Sequence, residues 1–167
     1  VYVSHCISSN LKLGSGIAPV KKYYDRGLNI SIGTDGASSN NNLNMFEEMH
    51  MAAMICRGQS NDSNAIPVKD ILRFATRNGA LAQGREDCGL VAEGMRADFM
   101  VLDLDKPHMY PDYGTLANVV FSAQSSDVWM TVCDGKVLYK DGEFTTIDPA
   151  EVKAKAKESF EAVLKRL

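Results

Sequence analysis

Histidine is scarce in this sequence: three residues, His5, His50 and His108, with no HxH or HxxxH pair among them. A self-contained histidine-rich metal site is therefore excluded. The four cysteines, Cys6, Cys56, Cys88 and Cys133, lie far apart and form no CxxC pair. That rules out a zinc knuckle, argues against a disulfide framework, and makes reduced thiols in a cytoplasmic protein the expectation. No apolar run approaches a membrane span, so no membrane partner is expected. Neither end reads as a signal peptide. Basic residues are not clustered: 18 Lys and Arg stand against 21 Asp and Glu, a formal net charge of -3, which removes the electrostatic reason to expect nucleic acid. Also missing are a nucleophile–base pair, a glycine-rich phosphate loop and EF-hand spacing. There is no low-complexity tract and no internal repeat.

What is present is the composition of a globular protein, 45% hydrophobic and 23% charged over 167 residues, long enough for a sizeable core. The chain opens on "VYVSH", a strand-like start without methionine. The expectation is that these residues are the C-terminal part of something longer. "VYVS" is a β-rich run followed by a polar loop, "HCISSNLKLGSG". The helical stretch "IAPVKKYYDRG" has Pro19 for its first turn and Gly27 for its C-cap. "LNISIGTD" is a second strand, and "LNMFEEMHMAAMICRG" a helix with Met45, Phe46, Met49, Ala53 and Ile55 or Cys56 near helical spacing. Strand, helix, strand, helix with tight connections predicts parallel βα units.

Further on, Pro67 opens a helix to Arg77, and "NGALAQG" continues as a short one. The period then changes. "ADFMVLDLD" and "ANVVFSA" are candidate strands. "DVWMTVCDGKVLYKDGEF" is a hairpin pattern joined at Asp134-Gly135. The last stretch is an amphipathic helix capped by Asp148, with Pro149 in its first turn and a stripe of Val152, Phe160, Val163, Leu164 and Leu167. The expected organisation is an α/β segment over 1–88, a β segment over 89–146 and a closing helix over 147–167. Two βα units cannot close a barrel, so this α/β piece reads as incomplete.

Asp35 ends the second strand in "GTDG". In parallel βα architectures the C-terminal strand ends face the functional site, and a divalent cation compensates a carboxylate there. The plainer alternative is a turn in which Asp35 bonds its own backbone, and short Asp-Gly motifs make that the commoner case. His5 also ends a strand and faces the same choice between structural residue and site residue. Ser8, Ser9 and Asn10 fit a ligand loop or ordinary turn chemistry. Asn40, Asn41 and Asn42 read as a cap and turn cluster, Glu47 and Glu48 as solvated, His50 and the nearby methionines as helix residues, and His108 as part of a surface loop.

Taken together, "VSHCISSNLKLGSGIAPV" and "SIGTDGASSNNNLNMFEEM" closely resemble the last two βα units of an amidohydrolase-superfamily barrel. The branch is that of 5-methylthioadenosine/S-adenosylhomocysteine deaminases and chlorohydrolase-like enzymes. "ATRNGALAQG", "GLVAEGMRADFMVLDLD" and "NVVFSAQSSDVWMTVCDGKVLYKDGEF" resemble that family's end, where the chain leaves the barrel. The fold implied is the C-terminal part of a (β/α)8 TIM-like metal-dependent hydrolase barrel, with part of a small composite β-sandwich and a C-terminal helix.

The resemblance also implies a site. Asp35 matches the family's metal-binding aspartate and would be both ligand and general base, accepting a proton from water and helping deliver it to the leaving amine. His5 matches a histidine beside the metal on the substrate side, not a ligand. Ser39 falls on a position facing the bound ligand, and Asn10 lies in a matching motif. The implied cofactor is one divalent metal, zinc with iron as the alternative, whose remaining ligands are not in this chain. The implied partners are a purine-type substrate, water, the missing N-terminal part of the barrel and a further copy in a homo-oligomer. The implied reaction is hydrolytic deamination of an adenine-type nucleoside. Guanine deamination and triazine dechlorination are rivals within the class, and a non-catalytic interaction fragment is the reading outside it. Without the missing histidines, the 167 residues alone should be inactive.

Overall fold

The computed structural model describes residues 1–112 and 114–166. Its first part holds strand β1 (Tyr2–His5) beside β2 (Asn29–Ile32), paired in parallel with Tyr2 opposite Asn29 and His5 opposite Ile32. Helices α1 (Ile7–Lys12) and α2 (Val20–Asp25) connect them, and α3 (Met45–Ser60) follows β2. The parallel βα pattern expected from the sequence is present.

Two expectations need correction. The segment after His5, read as a polar loop, contains α1. A six-residue, serine-bearing helix has little intrinsic stability, and this one is held by bonds to distant residues. "ANVVFSA" is not a strand but helix α6 (Thr115–Phe121). Its β-branched residues favour extended backbone, but a helix lets Val120 reach the core with Val119 and Phe121 packed beside it.

Two helix ends fall where glycine or asparagine chemistry favours them, the Gly27 end as the sequence predicts and the Asn44 end in addition. Gly27 sits at φ 69°, and the Gly27 and Leu28 amides donate to the Tyr24 and Tyr23 carbonyls, closing α2. Asn44 caps α3 by accepting the Phe46 amide at 3.1 Å. Helices α4 (Val68–Ala75) and α5 (Arg77–Ala82) complete the α-rich part. Its core gathers Val20, Ile30, Ile32, Phe46, Met49, Ala52, Ala53, Cys56, Ile66, Ile71 and Phe74, and Val120 joins them from α6.

The second part is an antiparallel sheet in the order β3 (Phe99–Leu102), β4 (Val128–Cys133), β5 (Lys136–Lys140), β6 (Glu143–Phe144). The β4–β5 hairpin turns at Asp134-Gly135, both at positive φ, as its sequence predicts. Among the described residues this is the one sheet of that part, where the sequence led us to expect a piece of a sandwich. His108, placed by the sequence in a surface loop, is half-exposed but hydrogen-bonds through Nε2 to Asp127, a residue 2% exposed, at 2.8 Å.

The closing helix, α7 (Pro149–Leu164), begins as expected, with Asp148 accepting the Ala150 and Glu151 amides. None of its described residues is buried, and Val152, Phe160, Val163 and Leu164 are all more than half exposed. Leu167, assigned to the same stripe, lies outside the described residues. No described helix is long and apolar enough to cross a membrane.

Candidate active site at the strand ends

Parallel pairing brings the C-terminal ends of β1 and β2 to the same edge. His5 closes β1, and the Gly33 amide extends the ladder by one bond to the His5 carbonyl, at 3.2 Å. Two residues later the chain reaches Asp35 in the left-handed region, at φ 61°. Aspartate tolerates that conformation better than most non-glycine residues.

The Asp35 carboxylate is exposed to solvent and held from two sides. Ser9 Oγ, from α1, donates to its Oδ2 at 2.7 Å. Ser39 Oγ, from the following loop, donates to the same oxygen at 2.7 Å. Among the described residues no side chain donates to Oδ1. These two hydroxyls, led by Ser39 and helped by the Gly36 backbone, hold the Asp35 carboxyl below the usual carboxylate range. Its backbone takes the left-handed conformation of a turn residue, and its carboxylate is held by two hydroxyls and exposed.

His5 lies behind it, 4% exposed. Its Nδ1 is buried without a hydrogen-bond partner among the described residues. Burial pushes the ring's pKa below its ordinary value, against an opposing pull from Glu48.

Of the other residues expected here, Ser39 is at the site through its bond to Asp35. Asn10 is not brought into it by any hydrogen bond among the described residues. It serves through its backbone instead, accepting the Ser15 amide at 2.9 Å and donating to Cys6 at 3.0 Å.

Sequence reasoning missed four contributors. Ser9, left open between a ligand loop and turn chemistry and given no partner, is a buried donor to Asp35. Lys12 ties α1 to the following loop through the Ser38 carbonyl at 3.0 Å and Asn41 Oδ1 at 2.5 Å. Glu48, expected to be solvated, is 0% exposed and accepts from Asn40 Nδ2 at 2.8 Å and the Ser8 amide at 3.3 Å. Asn40, read as part of a turn cluster, is buried in the same network. A signal was available for Glu48: it lies one turn before Ala52 and beside Met49, on the buried stripe of α3.

Among the described residues no three His, Cys, Asp or Glu side chains come together as a metal site. Near these strand ends Asp35 presents a charged, exposed carboxylate ordered by hydrogen bonds, which could hold a metal. It fits as one member of a donor set completed by other residues.

Residues 1–138, which include this parallel βα pair, match the amidohydrolase family, to which this chain belongs. It is 47% identical over 166 residues to a 5-methylthioadenosine/S-adenosylhomocysteine deaminase of Acetivibrio thermocellus, covering 99% of this chain and 38% of that one. It is 42% identical over 167 residues to a 5'-deoxyadenosine deaminase of Methanosarcina mazei, covering 100% of this chain and 38% of the relative. In structure it matches an adenosine deaminase from Xanthomonas campestris with bound zinc, with a TM-score of 0.95 and 34% identity over 99% of this chain and 38% of that chain. The chain thus spans well under half the length of these relatives, and its parallel strand pair corresponds to part of their barrel.

Proposed function

We propose that this chain supplies the last part of the barrel of a metal-dependent aminohydrolase that deaminates adenine-type nucleosides such as 5-methylthioadenosine or S-adenosylhomocysteine. The observation that carries the reading is Asp35, an ordered, exposed carboxylate at the end of β2 with both of its hydroxyl donors on one oxygen. The names of the relatives support the choice of substrate, and the zinc in the Xanthomonas structure supports a divalent metal, zinc or iron, with Asp35 as the one ligand this chain provides.

A bound divalent cation would make a water molecule acidic enough to give up its proton near neutral pH. Asp35 stays ionised because Ser9 and Ser39 stabilise its charge, and among the described residues no side chain donates to Oδ1. Asp35 accepts the proton from water as the water oxygen bonds to the amino-bearing ring carbon and the adjacent ring C=N opens, its nitrogen protonated by a group outside this chain. Asp35 then returns a proton to the amino nitrogen, the C–N bond breaks and ammonia leaves. His5, buried behind the strand end, supports the substrate side of the site. Ser39 steadies Asp35 at the rim where a ligand would enter, and Asn10, within α1, helps hold that helix through its backbone bonds to Cys6 and Ser15.

The segments 1–88, 89–146 and 147–167 serve in this reading as barrel, β-sheet extension and closing helix. The remaining metal ligands come from the rest of the barrel. Four free cysteines accord with a cytoplasmic site of action, and a homo-oligomer is the assembly we expect.

The test is an ammonia-release assay on the polypeptide that carries this chain together with the rest of the barrel. 5-Methylthioadenosine should be deaminated, and Asp35→Asn should lower kcat by roughly 10²- to 10⁴-fold with the fold retained. Wild-type-like turnover in that variant overturns the role of Asp35. No release by the wild type overturns the activity and favours a non-catalytic interaction piece.

A further inference from the structure

Helix α3 carries a carboxyl that is wholly shielded from solvent, that of Glu48. Its two oxygens serve different segments, helix α1 and the loop after β2. Oε2 accepts the Ser8 amide at 3.3 Å. Oε1 accepts Asn40 Nδ2 at 2.8 Å, and the same Nδ2 also donates to the Thr34 carbonyl at 2.9 Å. Asn40 is itself buried, and its Oδ1 accepts the Asn42 amide at 3.1 Å, so its carboxamide is locked in one orientation.

Each arm ends one residue from the site. Ser8 precedes Ser9, which donates to Asp35, and Thr34 precedes Asp35 itself. One buried carboxyl therefore grips both the segment bearing the donor and the segment bearing the acceptor. It also lies near enough to act electrostatically on the buried His5 ring.

Packing alone does not account for this residue. A methionine or leucine would fill the same position on the apolar stripe of α3 without the cost of burying a polar group. A side chain with two acceptor oxygens can hold a backbone amide of α1 on one and a loop carboxamide on the other at once.

We propose that Glu48 is a positioning residue: through Ser8 and Asn40 it fixes α1 and the 34–40 loop against each other, and so sets the direction in which the Asp35 carboxylate points. The catalytic consequence rests on the reading of Asp35 given above; the mechanical linkage does not.

The test uses Glu48→Gln in the polypeptide with the complete barrel. The variant keeps the side-chain volume but turns one acceptor into a donor that faces either the Ser8 amide or the Asn40 carboxamide. Displacement of Asp35 should lower kcat per folded molecule by roughly 10- to 100-fold, with KM for 5-methylthioadenosine little changed. In a double-mutant cycle, Glu48→Gln should add little to Ser9→Ala, because both act through the same bond. Unchanged kcat per folded molecule, or fully additive losses, overturns the proposal.

Amide hydrogen exchange supplies a readout that needs no activity. In Glu48→Gln the amides of residues 8–12 and 36–41 should lose protection together while α4 keeps its own. Retained protection in either segment, or loosening centred on α4, overturns the linkage. If the wild type deaminates nothing, the reading of Asp35 has failed, and the exchange result still decides the role of Glu48. Should Glu48→Gln fail to fold, Asn40→Ala, which removes the Thr34 arm together with the Asn42 bond and leaves the Ser8 arm, is judged by the same two readouts.

Discussion

The hydroxyl of Ser9 and the carboxylate of Asp35 meet at 2.7 Å across 26 residues of sequence, joining α1 to the end of β2. The bond, with its counterpart from Ser39, lowers the Asp35 pKa. Folding therefore favours the ionised form. The resulting stabilisation is present above about pH 4, the ordinary carboxylate value, and is lost as pH falls through the lower folded value. Removing a donor in Ser9→Ala should raise the Asp35 pKa toward its ordinary value. It should also cost roughly tenfold in kcat, the worth of one hydrogen bond to a charged group. The acid limb of the pH–rate profile should move to higher pH; an unmoved limb would separate the two residues functionally.

His5 gives a second pH dependence at a different place on the scale. Burial lowers its pKa, so the unfolded chain takes up a proton near pH 6.5 while the folded chain resists it. Stability should be intact above about pH 6.5, fall as pH drops toward the folded value, and level off below it. Urea melts at a series of pH values would register this. In His5→Gln the slope between about pH 7 and pH 5 should be shallower than in the wild type, and a slope equally steep in both would remove the assignment.

Gly89 packs where no side chain fits. A Cβ there would lie 2.7 Å from the Arg77 Cα and 3.0 Å from the Thr76 carbonyl oxygen, at φ +84°. Gly89→Ala must displace backbone and should cost about 2–3 kcal/mol. Gly84 is the control, because its φ is +74° but nothing lies within 4 Å. Gly84→Ala meets only backbone strain and should cost about 1 kcal/mol. Thermal melts of the two variants should rank in that order.

Asp127 accepts His108 Nε2 and the Gln124 amide, each at 2.8 Å on the same oxygen. Asp127→Ala would leave two donors without their acceptor and should lose about 1–3 kcal/mol. His108→Ala should lose less, since the buried carboxyl keeps the Gln124 bond. Equal losses on chemical denaturation would show that the imidazole, not the backbone bond, carries the contribution.

Much of this was legible in the sequence, for local reasons. β1, β2, α3, the Asp134-Gly135 turn and the Asp148 cap each announce themselves through residues near in sequence. Asp35 was placed correctly at a strand end, because strand and turn are both short-range patterns. The misses share a different cause. α1 was hidden because its stability comes from Glu48 and Asp35, far along the chain, and not from its own serines. α6 was hidden because its valines favour a strand until packing against α3 and α4 decides otherwise. Glu48 was read by its charge when its position on the α3 stripe was the better guide. Asn40 was correctly taken as a turn residue, but nothing local says that its carboxamide is buried.

The backbone at Asp35 restricts which amino acids can ever stand there. In the left-handed region an alanine or a branched residue is strained, whereas asparagine and glycine enter readily. Loss of the carboxylate in a descendant of this chain therefore has two low-strain routes, and both leave the strand end folded. A relative that had abandoned hydrolysis would keep its shape and show the change as a single asparagine or glycine at this position. On the proposed reading of Asp35, position 35 reports whether such a chain is under selection for chemistry or only for shape.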